Sequence, residues 1–413
     1  MYITTNCKRL LKDCQKWHKK LPSISYFSKN IYFFIKGECN DTEIIVFNSY
    51  RGYWGGKTMR ILDYNPNFGT LSSGLEYFPK NEVVETIKLQ KDAVFPYNSI
   101  HKQWFLPSAI KNFDYETDYN VDLAIFQPNF GGKVAKRSKS NFYFDDFQNC
   151  LNFLREFRPE FAIFQTELGA IELINTNNSY VRDGFNQLSK DRVIADLQKM
   201  QYKAYLVVID EADYGIPLHR SFAFYVATPK DFDLRVPKPL FTHSGRGEYA
   251  KFRTVEDAIG DLGGLGEWVE YDCDAKNSYQ RALRNSDGHV TWHFNHQNIK
   301  PSTKKKIASI KQGSNNETPI AKSRSKGYNR AKWDSVCRCM DEDFYLLSSK
   351  GGDSIHPIAD RTFTIREGCR IHGLPDKLSF ELSTSRRFIA SMIHQSIAPA
   401  IGMMLGLSLG CEL

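Results

Sequence analysis

Between residues 43 and 230, short apolar runs alternate with longer amphipathic stretches. The runs Glu43–Asn48, Glu82–Leu89, Val121–Phe126, Phe161–Phe164, Ala204–Ile209 and Phe222–Val226 are β-branched or aromatic and bounded by polar or turn residues, which predicts strands. Between them, Phe144–Phe157 and Val181–Met200 read as helices. Strands alternating with helices predict an α/β fold with a mostly parallel sheet covered on both faces. The rhythm stops near residue 230, and 231–355 is richer in Gly, Asn, Ser, Lys and Arg. Globular patterning resumes near Ile355. The apolar run Ile397–Leu409 is shorter than the roughly 20 residues a spanning helix needs, so it reads as a buried helix. The chain thus divides into an N-terminal extension (1–50), an α/β domain (51–230), an irregular insertion (231–355) and a segment (356–413) that returns to the α/β domain.

Composition narrows this only slightly. A hydrophobic content of 41% over 413 residues, with 14% aromatic, supports a packed core. The net charge of +8 permits a nucleic-acid partner without demanding one. Nine cysteines without a CxxC pair argue against a zinc ribbon or disulfide framework and for reduced thiols in a cytoplasmic protein. Residues 1–20 lack the apolar stretch of a signal peptide.

The segment Asp360–Phe380, DRTFTIREGCRIHGLPDKLSF, carries Arg361, Thr364, Arg366, Glu367, Arg370, Gly373, Pro375 and Asp376 in ungapped register with R-x-L-T-x-R-E-x-A-R-L-Q-G-F-P-D. That pattern resembles motif nine of the DNA cytosine-C5 methyltransferases. Further blocks of that family follow in order. Leu62–Glu76, LDYNPNFGTLSSGLE, aligns on the cofactor loop L-D-L-F-A-G-x-G-G-x-S-x-G-L-E, and Val83–Ala93 on the next strand. Leu123–Asn129 resembles the nucleophile loop ending in P-C, and Arg158–Gly169 the segment containing E-N-V. Tyr214–Val226 resembles Y-G-V-P-Q-x-R-x-R-x-F-x-V, His356-Pro357 the H-P before motif nine, and Ile393–Pro399 the block I-G-N-A-V-P-P. The resemblance implies a Rossmann-like S-adenosylmethionine-dependent methyltransferase fold, with a smaller target-recognition domain inserted at 231–355.

The positions that the family's chemistry uses are altered. A cysteine thiolate attacks C6 of a flipped-out cytosine, and no amide replaces a thiolate; Asn129 stands at that place. The glutamate that supports protonation at N3 aligns on Gln165, which hydrogen-bonds but carries no such proton. In the cofactor loop Asn65 replaces the phenylalanine, Asn67 and Thr70 replace glycines, and Gly69 remains. Lys88 replaces the acid expected to accept from the ribose hydroxyls, and Gln395 the last asparagine. Of the Q-x-R-x-R block only Arg220 persists.

These substitutions lead to the expectation of a catalytically inactive homologue. No cofactor is expected, with S-adenosylmethionine the candidate if the pocket survives. Double-stranded DNA is the expected partner, with an active methyltransferase subunit as a second, and no membrane. Candidate phosphate contacts are Lys133, Lys136, Arg137 and Lys139 after the nucleophile loop, and Lys304, Lys305, Lys306, Lys322, Arg324, Lys326 and Arg330 in the insertion, where Tyr328 and Trp333 add aromatic surface. From 300 to 332, ten Lys or Arg stand against one acid, which on its own also describes a solvated face. The alternatives are an active enzyme with an atypical site and a scaffold without DNA affinity. The expected location is cytoplasmic, on the nucleoid, or nuclear in a eukaryotic or viral setting. Three other patterns read as bland. Gly55-Gly56-Lys57-Thr58 lacks the first glycine of a phosphate loop. Asp210, Glu211 and Asp213 read as a solvated strand end, and His293 and His296 as a polar loop without a second ligand pair.

Overall fold

The computed structural model describes residues 30–33, 45–48, 58–105, 119–128, 142–167, 190–247, 249–314, 328–338, 340–347 and 353–412. Strands β1 (Asn30–Phe33) and β2 (Ile45–Asn48) pair antiparallel within a unit of their own, Met1–Arg51.

The second unit, Gly52–Leu413, is built on a six-stranded sheet. Its elements, with their ranges, run β3 (Arg60–Tyr64), α1 (Thr70–Leu75), β4 (Glu82–Ile87), α2 (Val94–Ile100), β5 (Leu123–Phe126), α3 (Phe142–Phe157), β6 (Phe161–Glu167), α4 (Lys190–Lys199), β7 (Lys203–Asp210) and β8 (Ser221–Thr228). Strand order is β4-β3-β5-β6-β8-β7. The first four strands are parallel, and β8 runs antiparallel to both its neighbours. The parallel strands are short and buried on both faces, as LAIF in β5 shows, because helices cover each side. Alternate residues serve alternate cores: Leu123 and Ile125 face one cluster, Ala124 and Phe126 the other. In α3, Phe147, Cys150, Leu151 and Leu154 recur at helical spacing and pack on the second cluster. Val193, Leu197 and Met200, on and just after α4, do the same. Of the predicted helix Val181–Met200, residues before Lys190 lie outside the described residues.

Residues 231–355 hold small paired elements: β9 (Phe241–Thr242) with β10 (Ala250–Lys251), β11 (Gly266–Glu270) with β12 (His289–His293), and β13 (Asn329–Arg330) with β14 (Asp353–Ile355). Three short helices accompany them: α5 (Val255–Ile259), α6 (Ser278–Leu283) and α7 (Pro301–Ala308). This region shares the first core cluster through Trp292 and Phe344. The chain then forms α8 (Ile365–Ile371), α9 (Arg386–Gln395) and α10 (Pro399–Ser408).

The C-terminal run folds as the buried helix expected. Residues 386–408 are long and apolar enough to cross a membrane by composition alone, but 67% of an 18-residue apolar portion of them is buried inside the fold, as in a core helix. Helices α1 and α10 touch backbone to backbone. A Cβ at Gly74 would lie 2.0 Å from Pro399 O, and one at Gly402 would lie 2.1 Å from Leu71 O. Only glycine permits that approach. Thr70 Oγ1 donates to Ile397 O at 2.6 Å beside it.

Candidate functional site at the carboxyl edge of the sheet

Open parallel sheets bind ligands in the crevice beyond the carboxyl ends of their strands. At that edge the loop after β3 passes through left-handed conformations at Asn65 (φ 53°), Asn67 (φ 54°) and Gly69 (φ 70°). Asparagine is among the few side chains that adopt this region readily. At Asn67, where a glycine is replaced, the backbone therefore keeps a left-handed path that glycine would serve. What changes is the lining. Asn65 Nδ2 donates to Gln127 O at 2.7 Å, and Asn67 Nδ2 to Gln127 Oε1 at 3.4 Å. Both side chains thus reach across to the end of β5.

Below the loop lies a buried polar network. Ser72 Oγ donates to Asp63 Oδ2, and so does Tyr97 OH, at 3.2 Å. Burial pushes the Asp63 carboxyl up to about 6 against the pull of Ser72, His101, Tyr97 and Gln127. His101 sits between Glu76 Oε2 and Gly69 O and stacks on Tyr97 at 3.9 Å. Asp63, Ser72 and Glu76 are matches to the family's cofactor loop, and each one braces that loop from beneath.

Asp63, Gln127 and Gln165 share one face of three adjacent parallel strands. Asp63 pairs in register with Ile125, and Phe126 with Phe164, so Gln127 and Gln165 follow side by side. Asp63 Oδ1, Gln127 Nε2 and Gln165 Oε1 are buried without a hydrogen-bond partner. Gln127 also pulls the Asp63 carboxyl down, so these two face each other across β3 and β5, with Gln165 beside them on β6. Sequence reasoning alone misses Asp63 and Gln127 as site residues. Their signal is the alternation within each strand, readable only once the strands are placed side by side.

Lys88 follows β4 in a left-handed conformation (φ 59°), and its Nζ stands 4.9 Å from the centre of the Tyr64 ring. Arg220 does not line this row. Its guanidinium forms a two-point pair with Glu211 at 2.8 and 3.0 Å and donates to His394 O and Ser396 O, each at 2.6 Å. Glu211 is fully buried, so the reading of a solvated strand end is corrected for it. Asp210 instead caps the turn that follows, accepting from Ala212 N at 2.9 Å. Gln395 is exposed, its amide donating to Ser391 Oγ at 3.1 Å. Asn129 lies outside the described residues, as do Lys133, Lys136, Arg137, Lys139, Lys322, Arg324 and Lys326.

Lys304, Lys305 and Lys306 stand exposed on α7. Arg330 is a correction. It is 4% exposed, and its guanidinium donates to Ile307 O, His356 O and Ala359 O and pairs with Asp360 at 2.7 Å. Buried among those carbonyls, the guanidinium presents no surface to a phosphate.

The motif-nine residues form a buried joint. Thr364 and Glu367 make a capping box at the start of α8, and Arg361 grips Glu367 with two bonds of 2.7 Å. Arg370 holds Asp376 at 2.6 and 2.7 Å and Asp261 at 3.2 Å, while Arg366 donates to Thr291 O and Leu378 O. His293 and His296 belong to this joint and not to a polar loop. Nδ1 of His293 lies 3.0 Å from Thr364 Oγ1, and Ile365 N donates to His296 Nε2 at 3.3 Å. No group of three metal-ligating side chains occurs among the described residues.

The edge fits S-adenosylmethionine in its backbone and not in its donor set. The loop path and its bracing remain. At the position where the resemblance implies the ribose-binding acid, Lys88 offers an ammonium with three donors and no acceptor.

The sequence pattern of the C-5 cytosine-specific DNA methylases matches residues 176–411, more than half of the chain. The match starts beyond β6. Arg220, Gln395 and motif nine fall within it, whereas Asn65, Asn67, Gly69, Lys88, Asn129 and Gln165 precede it. The chain is 24% identical to the type II methyltransferase M.DdeI of Desulfomicrobium norvegicum over 60% of its own length and 60% of that relative's, less than two thirds. It is 20% identical to M.AgeI of Thalassovita gelatinovora, over 62% of this chain and 76% of that one. In fold it is similar to a protein described as a DNA modification methyltransferase from an E. coli prophage (TM-score 0.62, 16% identity, 85% of this chain and 98% of the other). The methyltransferase EhMeth of Entamoeba histolytica is also similar (TM-score 0.52, 12% identity, 86% and 98%).

Proposed function

The chain belongs to the C-5 cytosine-specific DNA methylase family, and we propose that it is a catalytically inactive member, acting as a DNA-binding, regulatory subunit of a methyltransferase assembly. The family uses S-adenosylmethionine and acts on DNA. The observation that carries the reading is the charge reversal at Lys88: its ammonium, set over Tyr64, cannot accept from a ribose diol. Gln165, on the same edge, can hydrogen-bond a base but cannot support its protonation as a carboxyl group does, and Asn129 follows Pro128 where a thiolate would be required. The lysines of α7 supply an exposed basic surface for duplex DNA.

Titration with S-adenosylmethionine and S-adenosylhomocysteine tests the first half. No heat at roughly 100 µM protein, a level that detects dissociation constants up to near-millimolar, is the expected result. Micromolar binding, or methyl transfer to DNA, overturns the reading. Salt-sensitive binding of duplex DNA tests the second half, and its absence leaves only a partner-protein role.

A further inference from the structure

We propose that Arg386 and Arg387, at the start of α9, form a second phosphate-contacting surface for duplex DNA, apart from the lysines of α7. Both side chains are exposed, and neither has an ion-pair partner among the described residues. Their place is electrostatically unfavourable. They occupy the first turn of a ten-residue helix that has no acid there and no side-chain cap. The positive end of a helix favours anions and disfavours cations. Helix stability therefore does not account for two arginines at that point, whereas an anionic partner does.

The pair is also held in place. The Arg386 guanidinium lies over the Phe294 ring, 5.7 Å from its centre, and that ring stands 4.4 Å from the ring of His296. A guanidinium seated on an aromatic face keeps its edge N–H groups free for a phosphate and loses less freedom on meeting one. Tyr345, 6.0 Å from His296, is pushed up by burial and by Asp343 and pulled back by both arginines, so all of them surround one ring. Further rings fix this cluster beside the loop after β3. Phe388, the next residue of α9, meets Phe68 of that loop at 6.4 Å. Phe68 meets Phe380 at 5.3 Å, Phe380 meets Trp292 at 6.0 Å, and Trp292 meets Phe294 at 5.8 Å. Helix α7 begins at Pro301, and the seven residues from Phe294 to it span at most about 25 Å. One turn of a duplex is about 35 Å long, so a single DNA can meet the arginines and the lysines of α7 together.

The inference rests on the DNA-binding half of the reading above. Fluorescence anisotropy of the full chain on two unrelated duplexes, at several salt concentrations, tests it with the double variant Arg386→Ser, Arg387→Ser. The slope of log K against log salt should fall by about 0.9 for each phosphate no longer neutralised. The fall should be the same on both duplexes, because phosphate contacts carry no sequence information. The melting temperature should stay that of the unaltered chain. Arg386→Lys with Arg387→Lys keeps the charge and should keep the slope, which separates a charge effect from a structural one. Three results overturn the proposal: an unchanged slope in the serine variant, an equal fall in the lysine variant, or no DNA binding by the unaltered chain. The first two leave DNA binding through α7 standing, and the third removes that reading as well, so the two failures are distinguishable.

Discussion

Glu76 and His101 form a buried pair, Oε2 to Nδ1 at 2.8 Å, that reaches the first loop through the other ring nitrogen, 3.0 Å from Gly69 O. The pair therefore couples the end of α1 to the segment after α2 and, through Gly69, to the loop that precedes α1.

Removing one partner of such a pair leaves the other group buried and uncompensated. Glu76→Ala should destabilise the fold by about 3 kcal/mol, seen as a lower midpoint in urea. An unchanged midpoint would mean that the loop is held elsewhere.

The loop asparagines separate backbone from side chain. Asn67→Gly should be nearly neutral for stability, whereas Asn67→Ala should cost about 1 kcal/mol because alanine resists a φ of 54°. Equal effects of the two changes would show that the bond to Gln127 matters more than the backbone.

The motif-nine joint should not tolerate conservative change. Arg370 is fully buried and serves two carboxylates, Asp376 and Asp261. Arg370→Lys cannot reproduce that fork and should destabilise by about 3 kcal/mol, measured by thermal or urea unfolding.

The same joint predicts an acid limit. Burial, partly offset by Glu367, lowers His356 to about 4, so the folded state holds it neutral. Its stabilisation is present above the unfolded histidine value of about 6.5 and is lost as pH falls from there toward 4. Glu367 is lowered to about 2 by the Arg361 bonds acting against burial. Its contribution falls away between about 4.5 and 2, in the same direction. Melting temperature should decline below pH 6.5, and His356→Asn, which keeps an acceptor for Ile358 N and Ala359 N, should flatten the slope between 6.5 and 4. A pH-independent melting temperature over that interval would contradict the assignment.

For duplex DNA, replacing Lys304, Lys305 and Lys306 with serine should weaken binding across all sequences. The slope of log K against log salt should fall by about 0.9 for each phosphate no longer neutralised. Fluorescence anisotropy at several salt concentrations reads this directly. An unaltered slope would place the DNA surface elsewhere.

Much of this was legible in the sequence because the relevant residues are local. The strands Glu82–Ile87, Leu123–Phe126 and Ser221–Thr228 show as compact apolar runs, and motif nine is contiguous because one capped helix and its turn contain it. Strand β3, by contrast, does not stand out among the periodic runs. Its five residues RILDY include Asp63, which is buried for its bonds to Ser72 and Tyr97 and so breaks the apolar pattern. Arg330 misled for the opposite reason. It lies in a basic stretch that looks solvated, and the carbonyls that enclose it come from 307 and 356–359, too far along the chain to register as partners. The row of orphaned atoms was equally hidden, since its members are 38 to 102 residues apart and meet only through strand register.

The glycine contact between α1 and α10 also sets an order of events. Helix α1 is made early, yet the surface it needs is supplied by residues near 400, with Thr70 and Ile397 separated by 327 positions. At about 5–20 residues per second of synthesis, Leu71 and Leu75 wait on the order of tens of seconds for their cover. Throughout that interval the residues of α1 lack the surface that covers them in the finished fold.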